Sequence, residues 1–438
     1  MTKAAEPGPS GDAAPVQRGT DGARRQTPHD RRRVSSPQWT APGLDEYAFL
    51  LRGHIDPPTL ERAGMLASQW QVSPHAVLIA MGWLREIDYV RALASHWGVP
   101  MAGAAQIEQG AQISLGANGA GWSAQLAREV SAAHLCAVGP HGQELIVFDA
   151  TSGRPKALAA RISQSPMGWR GCILAGRGTI EAALHRTLQR ALLARATWGL
   201  HRLAPDFSAA SPITRRQAIR VGTFAGLAIG TIAVAPDAAV LAWTMALTIP
   251  FLFVVAVRLL AVAHLFLSSR TTARQARAAR NLTDAELPVY TLLVPLFREA
   301  HMLPPLIAAL ERIDYPKAKL DIRIVLEAAD PETRAVAAGM RLPGNVSIIV
   351  VPDKQPRTKP KALNYALQLS RGDLIAIYDA EDAPEPDQLR KAVAAFRSQP
   401  ADTACLQAQL NIHNRHASWL ARQFTLEYCA LFDALLPC

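Results

Sequence analysis

Acidic and basic side chains gather in short runs in the last third of this 438-residue chain. Asp379-Ala-Glu-Asp382 sets Asp379, Glu381 and Asp382 side by side, and Glu327 and Asp330 form a second acidic pair. Arg357, Lys359 and Lys361 follow one another at alternate positions. Carboxylates of this kind suit Mg2+ or Mn2+, hard cations that take oxygen ligands and often bridge a diphosphate. Such a cation offsets charge that builds on a departing diphosphate. Lys359 or Lys361 suits contact with that diphosphate as a mobile point charge. Glu327 or Asp330 suits accepting hydrogen bonds from a base or ribose edge. Each run alone is weak, because acidic loops are commonly solvated strand ends and Asp387 reads equally well as a helix cap.

The elements around these runs give them meaning. Strands are expected at Val289–Val294, Ile322–Leu326, Val346–Val351, Asp373–Asp379 and Ala404–Leu410, and helices at Met302–Ile313, Lys361–Ser370 and Asp387–Arg397. Alternation of this kind predicts an α/β fold with a doubly wound, mostly parallel sheet. Ligands of such sheets gather at the carboxyl ends of the strands. The Pro295–Glu299, Glu327–Asp330, Arg357–Lys361 and Asp379–Asp382 runs all fall beside such ends. No G-x-x-x-x-G-K-[ST] loop, H-E-x-x-H or G-x-S-x-G is present, which disfavours a P-loop ATPase, a zincin and an α/β-hydrolase. Gly116–Gly121 is glycine-rich but has no clear strand before it and no helix after it.

Upstream, residues 221–236 and 238–257 carry no charge, and Pro236-Asp237 separates them. At 1.5 Å per residue the second run covers about 30 Å, one hydrocarbon core. The first covers about 24 Å and needs Ile219 and a snorkelling Arg220 to complete a span. Arg215, Arg216 and Arg220 precede the block, and Arg258, Arg270, Arg274, Arg277 and Arg280 follow. The positive-inside rule then predicts a transmembrane hairpin over 217–267 with both large parts in the bacterial cytoplasm. Net charge is +10 and mean hydropathy is +0.06. With the arginines set beside apolar spans, that balance favours membrane lipids over nucleic acid as a partner. The five cysteines contain no C-x-x-C pair, so a zinc ribbon is not expected.

Residues 1–43 are rich in Pro, Gly, Ser and Arg, and read as a disordered basic tail. Residues 44–205 read as a small α+β domain. Leu60, Ala63, Leu66 and Ala67 mark one helix, Val77, Leu78, Met81 and Leu84 a second, and Asp88, Val90, Leu93 and Ala94 a third. Strands follow at 135–139, 144–148 and 171–175, then a helix at 179–193. The runs "IDPPTLERAGMLASQWQVSPHAVLIAMGWLREIDYVRALASHWGVP" and "ELIVFDATSGRPKALAARI" resemble the N-terminal domain of type II secretion ATPases. Some relatives bind cyclic di-GMP through an Arg-Leu-Gly-type helix start. Val72-Ser73-Pro74-His75 stands there instead, so a docking module for a protein partner, or a structural one, is expected.

The carboxyl part resembles family 2 glycosyltransferases of the cellulose-synthase-like kind, with a GT-A fold. The resemblance rests on "YTLLVPLFREAHMLPPLIAALERIDYPK", "IRIVLEAADPETR", "TKPKALNYAL", "LIAIYDAEDAPEPDQLRKAV" and "LQAQLNIHNRHASWLARQFTLEY". It implies an inverting transfer from a nucleotide-sugar donor to a glycan or lipid acceptor, with Mg2+ or Mn2+ as cofactor, in polysaccharide synthesis. By position, Pro295 and Glu299 match the first nucleotide loop, and Glu327 and Asp330 the uracil or ribose loop. Lys359 through Asn364 match a Lys-x-Gly-Ala-Leu-Asn segment with Lys361 in place of the usual Gly. Asp379 and Glu381 match the Asp-x-Asp metal motif, with Asp382 as an alternative ligand. The family's later Thr-Glu-Asp and Gln-x-x-Arg-Trp segments are not found. Residues 287–438 are therefore expected to be the front part of such a domain, keeping the donor site without turnover of its own. The rival expectation is a non-catalytic, membrane-tethered interaction module.

Overall fold

In the computed structural model, residues 42–115, 135–138, 144–208, 213–267, 279–412 and 414–436 are described. The basic tail, Gly116–Gly121 and the arginines at 270, 274 and 277 lie outside them.

The amino-terminal part builds two small cores. Helices α1 (Pro57–Trp70), α2 (Pro74–Ala80) and α3 (Glu86–Trp97) each bury an apolar stripe. Pro57 and Pro74 start α1 and α2 at positions where a missing N–H costs nothing. Gly98 ends α3 in the left-handed region, at φ +66°. Leu60, Ala63, Val77, Leu78, Val90 and Leu93 meet in one core. Met81 and Leu84 fall past the end of α2, because the chain turns at Gly82, yet both pack into the same core. Helix α4 (Ala104–Leu115) precedes strands β1 (Leu135–Val138), β2 (Glu144–Asp149) and β3 (Cys172–Ala175), with α5 (Pro155–Gln164) between the last two. β1 pairs antiparallel with β2, and β2 parallel with β3. Helix α6 (Arg177–Leu203) covers this sheet with Ile180, Ala183 and Leu184.

Two long apolar helices follow, α7 (Arg215–Val234) and α8 (Pro236–Leu267). Both are long and apolar enough to cross a membrane. Thr214 caps α7 through the Gln217 N–H. The break between the helices is at Ala235, so Pro236 opens α8 and Asp237 sits in its first turn. Phe224 meets Trp243 edge-on, and the Trp243 Nε1–H donates to Thr231 Oγ1 at 3.0 Å.

The carboxyl part is a four-stranded, all-parallel sheet of β4 (Tyr290–Leu296), β5 (Leu320–Glu327), β6 (Val346–Val351) and β7 (Leu374–Ile377), in the order β6-β5-β4-β7. Helices α9 (Leu303–Glu311), α10 (Pro331–Gly339), α11 (Lys359–Leu367) and α12 (Gln388–Ser398) complete the α/β alternation. Side chains alternate across the pleat. Leu292, Val294, Ile322 and Ile324 face α9 and α12, where Leu303, Leu306 and Leu389 complete one core. Leu293, Val325, Ile349 and Val351 face the other way and meet Ala362, Tyr365 and Ala366 of α11 together with Leu193 and Ala196 of α6. The amino-terminal part thus supplies a helix to the second face of this sheet.

β4 runs through Pro295, whose parity turns it towards β7, as the neighbouring Leu293 carbonyl accepts from the Tyr378 N–H. β7 ends at Ile377, opposite Leu293, so no ladder bond is lost at Pro295.

Two expectations fail. Residues 404–410 form no strand and are mostly exposed, since no described strand lies beside them. Asp387 precedes α12 but makes no side-chain cap bond, and its carboxylate pairs with Lys391 at 2.8 Å instead. A last helix, α13 (Trp419–Cys429), is capped by Ser418 and runs into a wider-wound turn at Ala430–Leu435.

Candidate donor site

The strand order places the third, second, first and fourth strands of this sheet side by side. β5 and β6 thus lie on one side of β4 and β7 on the other, and in open parallel sheets ligands gather at the carboxyl ends of strands beside such a reversal of order. Phe297-Arg298-Glu299 follows β4, and Asp379-Ala-Glu-Asp382 follows β7.

The predicted residues at these tips are joined by direct contacts. Asp330 is buried and caps α10 by accepting from the Thr333 N–H at 3.2 Å. Its second oxygen accepts from the Arg298 N–H at 2.6 Å. That bond holds Arg298 in the left-handed region at φ 59°, an unusual conformation for a residue with a Cβ. Burial works against the charge on Asp330, but these N–H groups outweigh it and hold the carboxyl below its ordinary range. Lys361 and Glu327 form a buried pair at 3.3 Å, and Lys361 also donates to the Lys354 carbonyl at 2.9 Å. Burial raises the Glu327 carboxyl, and Lys361 partly reverses the rise. Lys361 thus braces the β5 and β6 tips from inside.

Lys359, the first residue of α11, instead reaches across to the Asp379 carboxylate, and both side chains are about half exposed. Asp382 turns back to accept from the Asp379 N–H at 2.8 Å, which closes the acidic turn. Burial raises the Asp382 carboxyl, the Asp379 N–H opposes the rise, and the charges of Asp379 and Glu381 add to it. Glu381 is exposed on the same turn. Pro295 and Glu299 lie at the β4 tip. Asn364 goes elsewhere: its Nδ2–H donates to the Ala196 carbonyl of α6 at 3.3 Å, on the packed side of α11.

Among the described residues no three His, Cys, Asp or Glu side chains converge as a ready-made metal cage. Mg2+ and Mn2+ do not require one, since one or two carboxylates plus diphosphate oxygens and water complete their shells. Asp379, with Glu381 or Asp382 on the same turn, fits that shared type of site. Sequence reasoning missed Arg298 and Phe297. The guanidinium of Arg298 lies 5.2 Å from the Phe297 ring centroid, and only the bond from Asp330 reveals the Arg298 backbone as part of the site.

A family profile described as glycosyltransferase like family 2 matches residues 288–431. Those residues form a family 2 glycosyltransferase domain. A curated relative, "Probable glycosyltransferase YdaM" of Bacillus subtilis (strain 168), is 25% identical over 152 residues, 31% of this chain and 36% of the relative. A solved structure, the mannosyltransferase PcManGT from Pyrobaculum calidifontis in complex with GDP-Man and Mn2+, is 26% identical. That likeness covers 33% of this chain and 44% of the other, and its TM-score of 0.23 is too low to carry geometry across. The match spans 36% of the curated relative's length and 44% of the solved chain's. The transferase domain thus contains all four strand tips and the contacts that join them.

Proposed function

We propose that the chain binds a nucleotide-sugar, with a UDP-sugar expected, and serves its transfer with inversion to a glycan or lipid acceptor in polysaccharide synthesis. The observation that carries this reading is the Lys359–Asp379 contact between the start of α11 and the β7 tip, with Glu327 and Asp330 fixed at the β5 tip. A half-exposed ion pair is held weakly, so Lys359 is free to turn to an arriving diphosphate and release Asp379. Mg2+ or Mn2+, when bound, supplies positive charge to the departing diphosphate. Asp379 is the residue offered to it, with Glu381 and Asp382 beside. The Arg298 backbone, locked by Asp330, shapes the mouth where a base or ribose would lie. Lys361 keeps the β5 and β6 tips in register from below.

In the same reading α7 and α8 anchor the chain as a hairpin in the bacterial inner membrane. Arg215, Arg216 and Arg220 before the first uncharged run, and Arg258 after the second, lie on the open side of the hairpin and keep both large parts in the cytoplasm. Residues 44–205 serve as a secretion-ATPase-like module that takes a protein partner.

A titration of UDP-sugars with Mg2+ or Mn2+ tests the donor site. Asp379→Ala and Lys359→Ala are each expected to weaken binding at least tenfold, about 1.4 kcal/mol. Equal affinity of wild type and both variants would remove the basis of the reading.

A further inference from the structure

Helix α11 carries Lys359 at its first position, and its later turns are tied to α6 of the amino-terminal part. The Asn364 Nδ2–H donates to the Ala196 carbonyl at 3.3 Å, and the Gln368 Nε2–H donates to the Leu192 carbonyl at 3.0 Å. The two donors stand four residues apart on α11 and the two acceptors four apart on α6, so each pair lies on one helix face. The later donor meets the earlier acceptor, so the helices run antiparallel in a fixed register. Among the described residues no other hydrogen bond joins α6 to α11. Ala362 and Ala366 share a core with Leu193 and Ala196, and the rings of Tyr365 and His185 meet edge-on. Neither the Tyr365 hydroxyl nor His185 Nε2 has a hydrogen-bond partner among the described residues.

We propose that Asn364 and Gln368 are positioning residues for donor binding, which hold α11 in register on α6 so that Lys359 meets the Asp379 carboxylate. The inference rests on the reading of Lys359 and Asp379 as donor groups. Direction is the first argument. Lys361 pins the amino end of α11 to Glu327 and to the Lys354 carbonyl. Apolar contact alone, which has no preferred direction, would leave the far end to slide. Gln368 lies seven residues past Lys361, about 10 Å along the axis, and its bond to Leu192 stops that slide. Leverage is the second argument. Lys359 lies on the other side of the Lys361 pivot, so a swing of the far end turns it against Asp379. Their half-exposed contact is held weakly and gives first. The frame is the third argument. Glu181 of α6 accepts from Arg323 of β5 at 2.7 Å, and Ile180 and Ala183 pack α6 on the amino-terminal sheet. Donor affinity therefore depends on a helix that belongs to the amino-terminal part.

The test is calorimetry of the full chain with a UDP-sugar and Mn2+. Asn364→Ala combined with Gln368→Ala removes both bonds. They are only partly buried, so the fold should stay intact by circular dichroism. Kd should rise about threefold or more, since each net hydrogen bond is modest. In a Lys359→Ala background the same two changes should alter Kd by less than about 1.5-fold, because nothing is left for them to place. A merely structural role would give the same loss in both backgrounds, and that result overturns the proposal. Ala196→Leu, made wholly in the amino-terminal part, overpacks the α6–α11 contact and should weaken binding in the same Lys359-dependent way. Unchanged affinity in a folded Ala196→Leu chain overturns the part given to α6. A wild-type chain that binds no UDP-sugar rejects the donor reading beneath the inference. Wild-type binding that Asn364→Ala with Gln368→Ala leaves unchanged rejects this inference alone.

Discussion

Removing Glu181 should loosen the transferase sheet from a distance. Glu181 belongs to α6, yet its carboxylate accepts from Arg323 on β5 at 2.7 and 3.2 Å and from Arg177 at 2.8 Å. Arg323 is only 5% exposed, and its Nε–H donates to Asp321 at 3.0 Å. In Glu181→Ala the two terminal nitrogens of Arg323 lose their acceptor inside the protein. Breaking a buried ion pair costs roughly 3–5 kcal/mol. Asp321 still neutralises Arg323, so about 2–3 kcal/mol is expected here, a factor of roughly 30–150 in an opening equilibrium. Glu181→Gln keeps an acceptor and should cost about half as much. Amide hydrogen exchange of the full chain reads this directly at Ile322–Leu326, where the sheet's opening free energy is reported strand by strand. Exchange there that is unchanged in Glu181→Ala would refute the view that α6 is part of the transferase core.

The same group carries a pH signature. Burial opposes the charge of Glu181, but Arg323 and Arg177 outweigh it and hold the carboxyl below its ordinary 4.5. A depressed folded pKa means its stabilisation is complete above that value and is lost as pH falls through the folded pKa. Exchange protection of β5 should therefore fall more steeply below about pH 4.5 in the wild type than in Glu181→Gln. Tyr365 buries a hydroxyl with no hydrogen-bond partner among the described residues, so Tyr365→Phe should be neutral or up to about 1 kcal/mol stabilising in a thermal melt. Asp330→Ala should cost about 1–2 kcal/mol through the lost cap of α10, and proteolysis should quicken at the freed Phe297–Glu299 loop. A Cβ at Gly344 would lie 1.8 Å from the Ile79 carbonyl. Gly344→Ala should push α2 away at a cost of about 1–3 kcal/mol, seen as faster amide exchange over 74–80.

Local pattern carried the strands and helices of the sheet well. β6 falls at Val346–Val351 as expected, and the other three strands shift by one or two residues at their ends. Their alternation also held a sign that was easy to miss. Leu320-Asp-Ile-Arg-Ile-Val-Leu-Glu327 places Asp321 and Arg323 on one face of a buried strand, which demands a charged partner. That partner, Glu181, lies far away in sequence, and no periodicity points to it. The fate of Asn364 was hidden for the same reason, because its acceptor is the carbonyl of Ala196. The strand expected at 404–410 failed on neighbours rather than on propensity, since a strand needs a partner edge. At the site, the acidic and basic types were legible, and their division of labour was not. Burial makes Lys361 an internal brace and leaves Lys359 as the exposed cation.

The central claim is that the carboxyl-end tips of this sheet hold a nucleotide-sugar through Asp379 and Lys359. Calorimetry of the full chain with a UDP-sugar series and Mn2+ tests it most directly. Saturable, metal-dependent binding that Asp379→Ala weakens at least tenfold, with the fold intact by circular dichroism, is the predicted result. Binding that ignores both the metal and Asp379, or no binding to any nucleotide-sugar, would contradict the account.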